Sequence, residues 1–127
     1  MFSHVMVGAK DVAASTAFYD ALFGVLGAKP GQTDAKGRVR WVHDGAAFMI
    51  SKPLDGKEAC HANGGTIGFR GKSTEEVDAW HAAGIANGGV TCEDPPGYRE
   101  MASGKIYLAY LRDPAGNKLC SVFRPAQ

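Results

Sequence analysis

The clearest pattern along the chain is a strand that leads into a helix, present twice at a spacing of 62 residues. Residues 4–8 and 66–70 alternate apolar and polar side chains with the period of a β-strand. Each stretch is followed by apolar residues at helical spacing, and each helix is predicted to begin after a capping residue, Asp11 or Ser73. Because internal similarity of this kind marks a repeated unit, we predict two copies of one module.

Both predicted helices have clear ends. The first is predicted to stop at Gly27, and the second at Gly88 and Gly89. Ser73 and Glu76 have the spacing of a capping box at the start of the second helix. The apolar positions expected to face the core are Val12, Phe18, Tyr19, Leu22 and Leu26 in the first helix and Val77, Trp80 and Ile85 in the second.

Three strands are predicted after each helix. Turn residues at Asp44-Gly45 and at 113–116 divide two hairpins. In the first copy the predicted segments are a short strand near Ala28 and a hairpin of 38–43 with 46–51. In the second copy they are a strand at 90–93, a loop at 94–104 and a hairpin of 105–112 with 117–124. Each module therefore has the order βαβββ. We expect a single domain over 1–127, with module 1 at about 2–53, a linker at 54–64 and module 2 at about 65–125.

The alternation in the first strand of each module predicts which side chains face the helix. Val5 and Val7, and equally Ile67 and Phe69, are expected on the helix side. A sheet with helices on one face leaves its other face to a partner or to a cavity. The residues expected on that other face are His4, Met6, Thr66, Gly68 and Arg70. The predicted fold class is α+β, with two paired βαβββ modules forming a curved mixed sheet around a cavity.

Composition narrows the classes of function. A chain of 127 residues with 45% hydrophobic residues can bury one core. The net charge is +1, from 14 basic and 13 acidic residues, and no basic cluster is visible, so neither a nucleic acid nor a membrane is expected as a partner. Three cysteines without a CxxC motif favour the reducing cytoplasm. No apolar leader or membrane-spanning run is expected.

Two motifs carry a family resemblance. Residues 11–19 read Asp-Val-Ala-Ala-Ser-Thr-Ala-Phe-Tyr, and residues 111–119 read Leu-Arg-Asp-Pro-Ala-Gly-Asn-Lys-Leu. With the paired modules and His4 on the first strand, the chain from His4 to about Arg124 resembles the vicinal oxygen chelate superfamily. This superfamily includes glyoxalase I, extradiol dioxygenases, fosfomycin-modifying thiol transferases and bleomycin-binding proteins. The resemblance does not choose among them, because one fold hosts many functions.

The resemblance implies a metal with four ligands, one from the first and one from the last strand of each module. His4 matches one of these positions, whereas Thr66 and Cys120 occupy two others and Met49 or Phe48 the fourth. A catalytic metal needs about three strong protein ligands. Thr and Met bind such cations poorly. We therefore predict no cofactor. A divalent metal is disfavoured; its candidate ligands are His4 and Cys120, and His43 and His61 are further histidines that could approach the site.

Other candidates have two interpretations each. Arg99 could clamp a carboxylate or a phosphate, or it could pair with Glu93 or Glu100 on the surface. Cys120 could be a thiolate or a small buried apolar residue. Tyr107 could line a pocket or a dimer interface. The candidate cavity-binding residues are His4, Met6, Met49, Thr66, Arg70, Arg99, Tyr107 and Cys120; no catalytic residue is assigned.

Three functions are weighed. The favoured one is a glyoxalase-like protein that binds a small molecule in the cavity, either as a binder without catalysis or as an enzyme that does not need the usual metal. The alternatives are a metal-dependent lyase, isomerase or thiol transferase of the glyoxalase I type with an unusual ligand set, and a drug-sequestering protein of the bleomycin-binding type. Missing carboxylates disfavour the first alternative, and the basic residues Arg70 and Arg99 disfavour the second. A homodimer is expected, because symmetric pairing would cover the open sheet face.

Overall fold

Strand, helix and further strands follow one another twice in the computed structural model, which describes residues 1–126. The described elements are β1 (His4–Gly8), α1 (Val12–Val25), β2 (Gln32–Thr33), β3 (Val39–His43), β4 (Ala46–Ser51), β5 (Ile67–Arg70), α2 (Thr74–Ala86), β6 (Val90–Thr91), β7 (Gly97–Met101), β8 (Gly104–Arg112) and β9 (Lys118–Phe123). The α+β class and the repeated module are confirmed.

Each module forms its own sheet. The first sheet has the order β1-β4-β3-β2, and the second has the order β5-β9-β8-β6, with β7 also paired to β8. In both sheets the first strand is parallel to the last strand of its module and, within residues 1–126, has no strand on its other side. Met6 lies opposite Met49, and Gly68 lies opposite Cys120. Met49 and Cys120 are therefore equivalent positions of the two modules.

The helix ends agree with the predicted caps. The Asp11 side chain accepts a hydrogen bond from Ala14 N at 3.1 Å, and Ser73 Oγ accepts one from Glu76 N at 3.1 Å. Glu76 Oε2 accepts a hydrogen bond from Lys72 N at 2.7 Å, one residue earlier than an ideal capping box requires. Gly27 has a φ of +91°, which lets the chain turn away after α1.

Three local predictions were wrong. The strand expected near Ala28 is β2, at Gln32–Thr33, because Ala28 N still donates to Phe23 O and closes the helix. The segment expected as a loop at 94–104 contains β7, because it pairs with β8 along its length. Ile85 is 45% exposed. Gly84 occupies the inner face of α2 instead, so close to β8 that a Cβ there would lie 2.3 Å from Leu111 Cδ1.

The two modules share one hydrophobic core. Helices α1 and α2 pack on each other, α1 also packs on β4, and α2 packs on β8 and β9. As predicted, Val5 and Val7 of β1 and Ile67 and Phe69 of β5 pack against this core. The centroid of the Phe69 ring lies 5.2 Å from that of Phe23 and 5.8 Å from that of Phe48. Phe69 therefore joins module 2 to the aromatic core of module 1.

A buried polar cluster also joins the modules. Tyr19 Oη of α1 donates to Asp113 Oδ2 at 2.6 Å, although the residues are 94 positions apart. Asn117 Nδ2 donates to the same carboxylate oxygen at 2.8 Å and to Gly8 O of β1 at 2.9 Å. The two motifs that carry the family resemblance thus meet in the core and hold the last turn of module 2 against module 1.

Neither of the two described helices is long and apolar enough to cross a lipid bilayer.

Candidate functional site

A cavity of about 470 Å³ lies between the two modules. Residues of both edge strands, β1 and β5, line it, together with the end of α1 and the β3–β4 hairpin. Most of its surface is apolar. The apolar lining residues with large side chains are Phe2, Val5, Phe23, Leu26, Trp41, Phe48, Ile67 and Phe69.

Several polar side chains also line the cavity. His4 Nδ1 lies 2.7 Å from Ser3 Oγ, and His43 Nε2 lies 3.5 Å from Asp44 Oδ2. Thr66, Arg70 and Lys72 follow one another along β5 and the residues just beyond its ends. Asp44 is the only carboxylate of the lining, so the cavity carries more basic than acidic groups.

The structure brings three of the eight candidate cavity residues together in this cavity: His4, Thr66 and Arg70. Met6 and Met49 lie on the face of the first sheet that points away from the helices, outside the cavity lining. Cys120 lies behind the cavity wall, since a Cβ on Gly68 would be 3.2 Å from its Sγ.

Arg99 and Tyr107 do not line this cavity. The Arg99 guanidinium donates to the carbonyls of Asp94 at 3.1 Å and Pro95 at 2.9 Å, so it shapes its own loop. Its predicted surface pairing with Glu93 or Glu100 was wrong, because Glu93 forms an ion pair with Lys118 and the described residues provide Arg99 with no carboxylate partner.

Tyr107 contacts the helix layer. Tyr107 Oη donates to Asp78 Oδ1 of α2 at 2.7 Å, and this hydrogen bond raises the pKa of Tyr107 to about 12. The alternation of β8 explains the orientation, because Leu108 and Tyr110 belong to the opposite face of the sheet.

The donor set does not fit the metal that the fold family implies. Within residues 1–126, no three His, Cys, Asp or Glu side chains come together as a ligand group. Burial raises the pKa of Cys120, and the nearby Lys118 lowers it only in part, so the thiolate form is disfavoured. The strand register assigns Met49 to the fourth ligand position implied by the family. Met49 shares the outer face of the first sheet with Met6, whereas Phe48 belongs to the core. His4 is therefore the one strong ligand among the four positions.

Several cavity residues were not predicted from the sequence. Lys72, which follows Arg70 by two positions, could have been found by extending the strand pattern past its last apolar residue. The aromatic lining from α1 and β5 had no such signal, because Phe23 and Phe69 have the pattern of ordinary core residues. Only the gap between the modules exposes one side of their rings to a cavity.

Comparison with known proteins agrees with this geometry. A family model described as Glyoxalase/Bleomycin resistance protein/Dioxygenase superfamily matches residues 1–120. A solved glyoxalase/bleomycin resistance protein from Albidiferax ferrireducens is similar at 55% identity, with a TM-score of 0.93 over 98% of this chain and 99% of that chain. The comparison with curated proteins gives no match.

More distant structures share the fold. One is a glyoxalase/bleomycin resistance protein/dioxygenase family enzyme from Burkholderia phytofirmans, at 19% identity and a TM-score of 0.71, covering 95% of this chain and 96% of that chain. Another is a lactoylglutathione lyase from Agrobacterium tumefaciens, at 22% identity and a TM-score of 0.66, covering 97% and 92%. With the match over residues 1–120, the chain belongs to the Glyoxalase/Bleomycin resistance protein/Dioxygenase superfamily.

Proposed function

We propose that the protein binds a small molecule in the cavity between its modules and does not use the four-ligand metal of its superfamily. The observation that carries the proposal is the cavity itself: about 470 Å³, largely apolar, with a few polar groups at its wall. Ligand sites in proteins typically have volumes of about 300–1,000 Å³ and this mixture of surfaces. Ligand binding in this cavity uses His4 and Thr66, which the two modules contribute from equivalent positions.

The alternatives receive less support. A metal-dependent lyase, isomerase or thiol transferase would need ligands that Thr66, Met49 and Cys120 do not supply. A protein that sequesters a cationic drug would need acidic walls, and Asp44 is the only carboxylate of the cavity. The proposal covers a binder without catalysis and an enzyme in which His4 acts as a general acid or base.

A homodimer is part of the proposal. Met6 is 53% exposed and Val42 is 60% exposed, and both lie on the face of the first sheet that the helices do not cover. A second copy would cover this face with one symmetric contact, which is the commonest arrangement of oligomers. The three free cysteines suit the cytoplasm, where we place the protein.

Titration with N-phenyl-1-naphthylamine, an uncharged dye that fluoresces in apolar sites, tests the cavity. We expect saturable binding to the wild-type protein and loss of binding in Thr66→Phe, whose ring would fill the cavity rim. Thr33→Phe is the matched control, because Thr33 is also exposed near a strand end but does not line the cavity. No saturable binding to the wild type, or equal binding to both variants, would refute the proposal.

A further inference from the structure

We infer that the cavity takes a small acid, with an apolar body and a single anionic group that Arg70 and Lys72 hold at the cavity wall. This inference rests on the proposed function and adds the chemical class of the ligand. Its basis is that two cations without an ion-pair partner line the cavity together with aromatic side chains.

Arg70 and Lys72 are two cations without a counter-charge. Both line the cavity, at the end of β5 and two residues beyond it. Within the described chain, neither side chain forms an ion pair with a carboxylate. Glu76, the carboxylate that contacts this segment, uses its Oε2 to accept a hydrogen bond from Lys72 N. Two positively charged residues therefore line one cavity, and neither is paired with a carboxylate.

The acidic group of the cavity does not change this balance. Asp44, whose Oδ2 lies 3.5 Å from His43 Nε2, is one carboxylate against two cations. A cationic ligand would meet Arg70 and Lys72 unfavourably, and a neutral ligand would leave them uncompensated. An anion would be stabilised, because charge-assisted hydrogen bonds from a guanidinium to a carboxylate, phosphate or sulfonate are among the strongest in proteins.

The apolar part of the ligand is expected to lie on the aromatic residues next to these cations. Phe69 directly precedes Arg70, and its ring is in contact with those of Phe23 and Phe48. All three rings line the cavity. Arg70 belongs to the opposite face of β5 from Phe69, but β5 is an edge strand and both residues line the cavity. An apolar body on the rings therefore places an acidic substituent at the strand edge that carries Arg70. The combination selects an amphipathic acid over a fully polar anion such as inorganic phosphate.

Two dyes that differ by one acidic group test the inference. The anionic dye 8-anilinonaphthalene-1-sulfonate has the skeleton of N-phenyl-1-naphthylamine plus one sulfonate. We expect the wild type to bind the anionic dye at least about tenfold more tightly than the neutral dye, a factor that corresponds to about 1.4 kcal/mol. Arg70→Gln should remove most of this difference, because the neutral dye has no acidic group for Arg70 to hold. Lys36→Gln, which removes an equal charge from an exposed residue outside the cavity, should bind both dyes as the wild type does.

The outcomes separate the two proposals. Equal affinity for both dyes, or equal loss of the anionic dye in Arg70→Gln and Lys36→Gln, would overturn the acid-binding inference and leave small-molecule binding standing. No saturable binding of either dye would overturn both. If the wild-type protein binds neither dye and sediments as a dimer, the second copy of the chain would be the occupant of the cavity.

Discussion

Replacing Tyr19 by Phe tests the polar cluster that joins the modules. The substitution removes one oxygen and keeps a ring beside Phe18 and Phe48, whose centroids lie 4.9 and 4.7 Å from that of Tyr19. The lost hydrogen bond is the 2.6 Å contact from Tyr19 Oη to Asp113 Oδ2. We expect the variant to fold and to be less stable.

The size of the stability loss depends on the hydrogen bonds that Asp113 keeps in the variant. Its Oδ1 still accepts from Ala115 N at 2.9 Å and from Asn117 N at 2.8 Å, and its Oδ2 still accepts from Asn117 Nδ2. One hydrogen bond to a buried carboxylate is lost, which typically costs about 1.5–3 kcal/mol. For a domain of this size, that free energy corresponds to a decrease in Tm of roughly 5–12 °C.

Urea denaturation and thermal unfolding would measure this loss. Tyr107→Phe is the matched control, because it removes a 2.7 Å hydrogen bond to Asp78 near the surface and should cost less than about 1 kcal/mol.

Burial, with Asp113 as a further cause, raises the pKa of Tyr19 well above its ordinary 10.0. The folded state therefore holds the Tyr19 proton more tightly than the unfolded state does. This contribution to the free energy of unfolding is present below pH 10 and falls as the pH rises further. Tyr19→Phe should therefore lose less stability than the wild type as the pH rises above 10.

If Tyr19→Phe lost no more stability than Tyr107→Phe, or kept the same alkaline decrease as the wild type, the hydrogen bond to Asp113 would not hold the modules together as argued.

Three further predictions concern metal, thiols and assembly. Protein purified without a histidine tag should contain far less than one Zn, Ni, Fe or Mn per chain and should not isomerise the glutathione hemithioacetal of methylglyoxal; one metal per chain, lost in His4→Ala, would contradict this. Iodoacetamide at pH 8 should modify the exposed Cys60 well before Cys120, since burial excludes the reagent from Cys120 and raises its pKa; peptide mapping that showed equal rates would refute it. Sedimentation at micromolar concentration should give a dimer that Val42→Asp dissociates and the exposed control Leu54→Asp does not; a wild-type monomer would refute the assembly.

Local chemistry made much of the fold predictable. Asp11 and Ser73 cap helices through contacts within three residues, and the alternation of Val5 and Val7 assigns their face before any packing is known. These signals depend on neighbours in the chain, so a single sequence contains them. β7 was not predicted because its segment begins with turn-forming residues. The strand forms because it pairs with β8, a contact that the local sequence does not indicate.

The candidate site was only partly predictable for a related reason. His4 and Arg70 lie on strands and Thr66 directly precedes one, so the alternation along the chain predicts the face to which each belongs. Lys72 and Phe69 gain their place in the site only through the position of β5 relative to α1 and β4.

By itself, the sequence determined the repeat, the helix ends and the faces of the first strands, because those features come from residues close together in the chain. The tertiary structure decided that two separate sheets leave a cavity between them, that Asp113 accepts a hydrogen bond from Tyr19 across 94 positions, and that Arg70 and Lys72 face the same space. These features require the modules to pack on each other. That packing depends on the close approach of Gly84 to Phe18 and Leu22 and of Phe69 to Phe23, contacts that no local pattern specifies.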